Sequence, residues 1–195
     1  MPDTAHFLDR IFSPDHFSKE ELALIRSQYT QVHFKKQDYL LREGRTAQHY
    51  WFVERGFIRS FAIDTRGNDI STNFYTTGNI AIDWPSFFLR SPTRENMQAL
   101  TDCTCWQLGF ERFQSLFHSI ERFREQGRTT LVGSYFELKN RSISMIADPA
   151  KDRYKRLLEE KPHILQNVSL KQIATYLGIT DTSLSRIRKE LAQEQ

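Results

Sequence analysis

The sequence predicts an α+β fold in three successive parts. An N-terminal β-roll or jelly-roll (a double-stranded β-helix) leads into one long helix, and an all-α unit closes the chain. Three observations carry this. From Val32 to about Phe110, short runs rich in Phe, Tyr, Trp, Ile and Thr are broken by turn residues, at the spacing of a sandwich or barrel. From Glu111 to Ile146 there is no proline, and glycine occurs only at Gly127 and Gly133, as expected of a long helix. Beyond Asp148-Pro149, apolar residues recur at helical spacing in short segments. The boundaries read as 1–118 for the β domain, 119–148 for the long helix and 149–195 for the helical unit.

Residues 18–29 read as a short helix ahead of the strands. Ser18 and Glu21 form a capping box, and Leu22, Ile25 and Tyr29 share one face. Strand runs follow at Tyr50-Trp51-Phe52-Val53, at Phe57 to Ile63 and at Ile70 to Tyr75. Each is followed by turn residues: Gly56, then Asp64 to Asp69, then Thr76 to Asn79. On the long helix, Leu131, Leu138 and Met145 fall seven apart, with Tyr135 and Ser142 between them. Such a seam needs a partner, and a second copy of the chain is the reading favoured here. The residue before Pro149 is pushed out of the α region, so the helix ends there. Three short helices follow: Lys151 to Glu160 with Tyr154, Leu157 and Leu158 inward, then Ser169 to Leu177, then Thr180 to about Ala192.

Composition narrows the function. The 195 residues are 39% hydrophobic and 26% charged, as in a globular protein. No apolar run approaches the roughly 18 residues a membrane span needs, so no membrane partner is expected. Met1-Pro2-Asp3-Thr4 lacks a basic n-region, and the expected location is the cytoplasm. The net charge of +3 is unevenly placed: nine basic and six acidic side chains lie from residue 151 onward, so the remainder sums to zero. That is the mild footprint of a polyanion-binding segment.

Two of the closing helices have the spacing of a helix-turn-helix. Ala174 is small where the helices approach, and Gly178 lies four residues later, where the chain leaves the first helix. Ile173, Leu177, Ile179, Leu184 and Ile187 close a small core, and Thr180 suits the N-cap of the second helix. That helix exposes Asp181, Thr182, Ser183, Ser185, Arg186 and Lys189, the short polar and basic groups that read base edges. Arg186 is the leading candidate, as a guanine reader or phosphate clamp. Ser169 and Lys171, at the start of the preceding helix, suit a phosphate. The expected partner is double-stranded DNA. A sensor or adaptor binding only protein is the alternative, but it would expose apolar residues on this face.

In this order the parts resemble the CRP/FNR family of bacterial regulators, over nearly the whole chain. The resemblance rests on Gly44 after Leu40-Leu41-Arg42-Glu43, Gly56 after Tyr50-Trp51-Phe52-Val53, and Gly78-Asn79 before Ile80. It continues in Ala174-Thr175-Tyr176-Leu177-Gly178-Ile179-Thr180 and Leu184-Ser185-Arg186-Ile187-Arg188-Lys189, a wording similar to members from Bacteroidetes-type bacteria. It implies a cyclic-nucleotide-binding β-roll, a homodimer through the long helix (Leu131, Tyr135, Leu138, Ser142, Met145), and a two-fold symmetric operator. RNA polymerase and a small-molecule effector are further implied partners.

The family's phosphate cassette, Gly-Glu-Leu and later Arg-Ser-Ala, is altered here. It reads Ile82-Asp83-Trp84 and then Arg94-Glu95-Asn96. Asp83, Trp84, Arg94 and Asn96 are the candidate effector contacts, but Glu95 repels a phosphate. No cofactor is assigned: the effector is a cyclic nucleotide, a different small molecule, or none. A wing after the recognition helix is not expected, since only Lys189 to Gln195 remain. Arg153, Lys155 and Arg156 are candidates to make up phosphate contacts, and the salt slope should be smaller than for a winged relative.

No enzyme is expected. The cupin-like echo of Gly44, His49, Glu54 and Gly56 has Trp51 where a second histidine would ligate a metal. His33, His49, His118 and His163 do not fall at ligand spacings. Cys103 and Cys105, on one face of a strand, read as core residues, and no nucleophile–base pair or phosphate loop is recognisable.

Overall fold

A computed structural model describes residues 6–193; Met1 to Ala5 and the final Glu194 and Gln195 lie outside them. Two short helices, α1 (Phe7–Ile11) and α2 (Lys19–Gln28), precede eight strands. The capping box of α2 forms as expected: Ser18 accepts from the Glu21 amide, and Glu21 accepts from the Ser18 amide.

The strands are β1 (Thr30–Phe34), β2 (Tyr39–Leu41), β3 (His49–Arg55), β4 (Ile58–Ile63), β5 (Asp69–Tyr75), β6 (Ile80–Ala81), β7 (Asn96–Ala99) and β8 (Cys103–Gly109). They form two four-stranded antiparallel sheets, ordered β1-β8-β3-β6 and β2-β7-β4-β5, which is the jelly-roll expected from the alternating strands and turns. The turn into β4 requires Gly56. Its φ is +110°, and an added Cβ would lie 2.5 Å from Cys103 Sγ.

Tyr50, Trp51, Phe52 and Val53 of β3 are all buried. Successive side chains leave a strand on opposite faces, so both faces of β3 are covered. Tyr50 and Phe52 face the helices. The Tyr50 hydroxyl lies 2.6 Å from that of Tyr29, and the Phe52 ring lies 5.9 Å from Phe12.

The sequence suggests one helix from Glu111 to Ile146; the structure has two, α4 (Phe110–Ser119) and α5 (Glu121–Ala147). Ile120 between them is extended, at φ −120° and ψ 108°, and buried. The turn lets both helices place aromatic rings on the same sheet face: Phe113 of α4 lies 6.0 Å from Phe123 of α5, which stacks on Phe12 at 5.6 Å. Arg124 donates to the Phe117 carbonyl at the end of α4. No proline or glycine marks this corner; tertiary burial makes it. The sequence also did not reveal α3 (Trp84–Leu89), inside the altered cassette, or the single-turn α7 (Ile164–Asn167).

The last helices are α6 (Ala150–Glu160), α8 (Leu170–Tyr176) and α9 (Asp181–Gln193). Their core holds Tyr154, Leu157, Ile173, Ala174, Leu177, Leu184 and Ile187, and it also takes in Phe57 and Phe74 from the β-roll. The helical unit is thereby seated on the β4–β5 side of the second sheet.

Candidate nucleic-acid interface and sensor pocket

Caps at the starts of α8 and α9 and a glycine between the two helices shape this motif. Ser169 and Gln172 form a capping box at the start of α8. Gly178 takes φ +67°, and a Cβ there would come 2.5 Å from the Met145 methyl group. Thr180 Oγ1 accepts from the Ser183 amide, which caps α9. Leu184 and Ile187 point inward and are buried. Asp181, Thr182, Ser185, Arg186 and Lys189 are exposed on the other side, with Ser183 half-buried. The Arg186 side chain is 77% exposed, with Glu190 3.9 Å away, a pair too open to hold it. Ser169 and Lys171 are exposed at the neighbouring helix start. All nine sequence-derived positions therefore lie on these two helices or their caps.

Three arginines link this unit to α5 and its end. Arg141 of α5 donates to the Tyr176 carbonyl, and its guanidinium lies 4.2 Å from the centre of the Tyr176 ring. Arg153 of α6 donates to the carbonyls of Leu177 and Asp148. Both cations thus meet carbonyls at the C-terminal ends of α8 and α5, where a helix carries partial negative charge. Arg156 binds Ser144 and pairs with Asp148 at 2.9 Å. Of the three basic residues considered for extra phosphate contacts, Arg153 is half-buried and bonded within the fold, Arg156 makes intramolecular bonds but stays 48% exposed, and Lys155 is exposed.

A third attachment joins α8 to β5. Ser71 Oγ donates to the Gln172 carbonyl, and Thr175 Oγ1 accepts from the Ser71 amide. Phe74 packs at 5.2 Å from the Tyr176 ring. Beneath them Arg59 is almost fully buried, donating to Ser71 Oγ and pairing with Asp69 at 3.0 Å. Arg59's hydrogen bonds hold the Asp69 carboxyl below its ordinary range.

On α5, Leu131, Tyr135, Leu138 and Ser142 are exposed along one face. Val132, Phe136 and Ile143 add a second exposed apolar stripe beside it, which the heptad reading did not include. Met145, at the end of the seam, lies against Gly178 of the turn.

The four cassette residues do not converge on one point. Asp83 caps α3 by accepting from the Ser86 amide, and its other oxygen accepts from Thr93 Oγ1. Trp84 stacks on Phe88 at 5.8 Å, facing an apolar cavity. Arg94 is exposed. Asn96 accepts from the Glu43 amide. Nearby, burial pushes the Glu95 carboxyl above its ordinary range; the charge of Asp83 adds to the rise, and Arg141 opposes it. Burial likewise raises Tyr75 to about 12, with Glu95 and Asp83 adding to it. Two carboxyls, Asp83 and Glu95, thus lie close enough to influence each other in the cassette region, with the cation of Arg141 also in range.

Two hollows flank this region. One, of about 590 Å³, is polar and lined by His49, Arg90 and Arg112 among others. Burial lowers the His49 pKa, and Arg112 lowers it further. Glu54, from the cupin-like echo, accepts from Trp106 Nε1. Among the described residues no cluster of His, Cys, Asp and Glu could hold a metal. The other hollow, of about 150 Å³, is aromatic and lies between β3, α3, α4 and α5. Cys103 and Cys105 are buried in the roll, and burial pushes the Cys105 thiol up to about 12.

Residues 31–119 match the cyclic nucleotide-binding domain family. No curated protein matches the chain. Among solved structures it is similar to FixK2 from Bradyrhizobium japonicum, with TM-score 0.75 at 17% identity over 85% of each chain. It is similar to the c-di-GMP responsive global regulator CLP of Xanthomonas campestris, with TM-score 0.70 at 16% identity, covering 90% of this chain and 92% of that one. A CooA variant from Carboxydothermus hydrogenoformans gives TM-score 0.70 at 15% identity, covering 98% and 86%. The class is thus a cyclic nucleotide-binding-type β-roll followed by a helical C-terminal unit. More particularly, the chain has the CRP/FNR fold: it is also similar to a putative transcriptional regulator of the CRP/FNR family from Eubacterium rectale, with TM-score 0.71 at 13% identity, covering 92% of this chain and 86% of that one. No helix among the described residues is long and apolar enough to cross a membrane.

Proposed function

We propose that the protein is a sequence-specific DNA-binding transcription regulator of the CRP/FNR type and not an enzyme. It works in the cytoplasm as a homodimer on a two-fold symmetric operator. The observation that carries this reading is α9: capped by Thr180, buried through Leu184 and Ile187, and exposing Ser185, Arg186 and Lys189. A helix presented in this way suits the major groove. Its polar surface disfavours the adaptor alternative.

In this reading residues 1–118 are the sensor, 119–148 pair the two chains and 149–195 bind DNA. The exposed apolar face of α5 around Leu131, Tyr135 and Leu138 supports pairing, because such a stripe on a lone helix lacks cover. Ser169, Lys171, Thr180, Asp181, Thr182, Ser183, Ser185, Arg186 and Lys189 form the DNA face. RNA polymerase is the partner that activation would require. The sensor half answers to an effector other than a cyclic phosphate: Asp83 and Asn96 are held in internal hydrogen bonds, and Glu95 adds negative charge beside them. Selection of bound sequences from a random duplex pool tests the central reading. Enrichment of an inverted repeat supports it, and the absence of any enriched sequence overturns it.

A further inference from the structure

The 150 Å³ hollow has an unusual wall. Phe52 forms its floor, Trp84 and Phe88 of α3 one side, Phe117 of α4 another, and Gly127 and Leu131 of α5 the last. The polar groups at its edge are already engaged inside the protein. Gln126 Nε2 donates to the Ile11 carbonyl, Thr130 Oγ1 donates to the Gln126 carbonyl, and the Tyr50 hydroxyl pairs with that of Tyr29. Arg128, at the rim, pairs with Glu125 at 2.7 Å. Apart from that solvent-exposed rim cation, the lining is mainly aromatic and aliphatic.

Gly127 makes part of this space. It sits in the interior of α5, where glycine is unfavourable relative to alanine. Its backbone is not left-handed, and a Cβ there would meet nothing within 4 Å. Neither conformation nor close approach accounts for it. The same helix continues to Arg141, which is bonded to the helix-turn-helix.

We infer that this cavity, which shares Ile82 and Trp84 with the altered cassette but not Asp83, Arg94 or Asn96, is a binding site for a small, neutral, aromatic or aliphatic molecule of about one ring. The volume of the hollow is that of an apolar cavity able to accept a molecule the size of benzene. The occupant touches α3 and α5 together, so binding fixes the start of the helix that carries the DNA-reading unit. This inference names the ligand class for the sensor half of the function proposed above. Its readout is ligand binding, so its failure is distinct from a failure of operator binding.

The test uses the full chain with toluene as probe and benzoate as its charged counterpart. Toluene at about ten times its Kd should raise Tm by about 3 °C, while benzoate at the same concentration should not. Gly127→Leu should fill the space, keep the fold and the oligomeric state, and abolish the toluene shift. Phe117→Ala should widen the cavity and admit naphthalene. Three outcomes overturn the inference: no toluene shift in the unaltered protein, equal shifts with benzoate, or a toluene shift that persists in Gly127→Leu. A Gly127→Leu chain that becomes monomeric in sedimentation also overturns it, since the cavity would then belong to the contact between copies.

Discussion

Shortening Phe74 to alanine should unseat the helical unit from the β-roll. Phe74 is 1% exposed and packs 5.2 Å from Tyr176. Removing a buried phenylalanine ring costs about 3–5 kcal/mol, a large fraction of the roughly 5–15 kcal/mol that holds a domain folded. The Ser71 hydrogen bonds to α8 remain, so attachment weakens without vanishing. The assay uses two probes with different locations. All three tryptophans, Trp51, Trp84 and Trp106, lie on the roll side of the molecule, so fluorescence reports that part. Far-ultraviolet circular dichroism reports all the helices, α6 to α9 of the helical unit among them. In urea the two signals should coincide for the unaltered protein and separate in Phe74→Ala, with part of the helical signal lost before the tryptophan signal changes. Coincident curves in the variant, with a loss below about 1 kcal/mol, would refute the reasoning, because a loss that small is out of range for a ring buried at a load-sharing contact.

The remaining expectations concern charge, thiols and pairing. Glu95→Gln should raise Tm at pH 7, and the gain should shrink toward pH 4. A carboxyl whose folded pKa is raised binds more protons when folded, so its stabilising contribution is present at low pH and lost as pH rises through the folded pKa. Equal Tm values at pH 7 would contradict the burial argument. Cys103 and Cys105 should resist iodoacetamide at neutral pH until the protein unfolds, since both are buried and burial raises both thiols; rapid labelling of the native protein, followed by mass spectrometry, would show otherwise. Leu138→Asp, at a position 61% exposed on α5, should give monomers in sedimentation velocity. A persisting dimer would move the interface elsewhere.

Local patterns were legible in the sequence. Ser18 and Glu21 marked α2, Thr180 and Gly178 marked the turn into α9, and the aromatic runs marked β3, β4 and β5, because each signal needs only neighbouring residues. The chain's corner at Ile120 was not legible. An isoleucine there is compatible with a continuous helix; the turn goes with burial of Ile120 and with the packing of Phe123 on Phe12 and Phe113. Helix α3 had a readable start in Asp83 and Pro85, but the cassette resemblance drew Asp83 and Trp84 toward a ligand role. The positions of Arg153 and Arg156 were also hidden. Their acceptors at Asp148, Leu177 and Ser144 come together only in the folded chain. The DNA-facing side chains were easier to find, since they follow from which side of α9 is buried.

Operator binding by the full chain tests the central claim most directly. In vitro selection should return an inverted repeat with half-site centres about 10–10.5 base pairs apart, or a multiple of that. On that duplex Arg186→Ala should lose about 1–3 kcal/mol of specific binding, with thermal stability unchanged because the side chain is exposed. Unaltered affinity in the variant would remove Arg186 from the reading face. Failure of the unaltered protein to select any sequence would contradict the account as a whole.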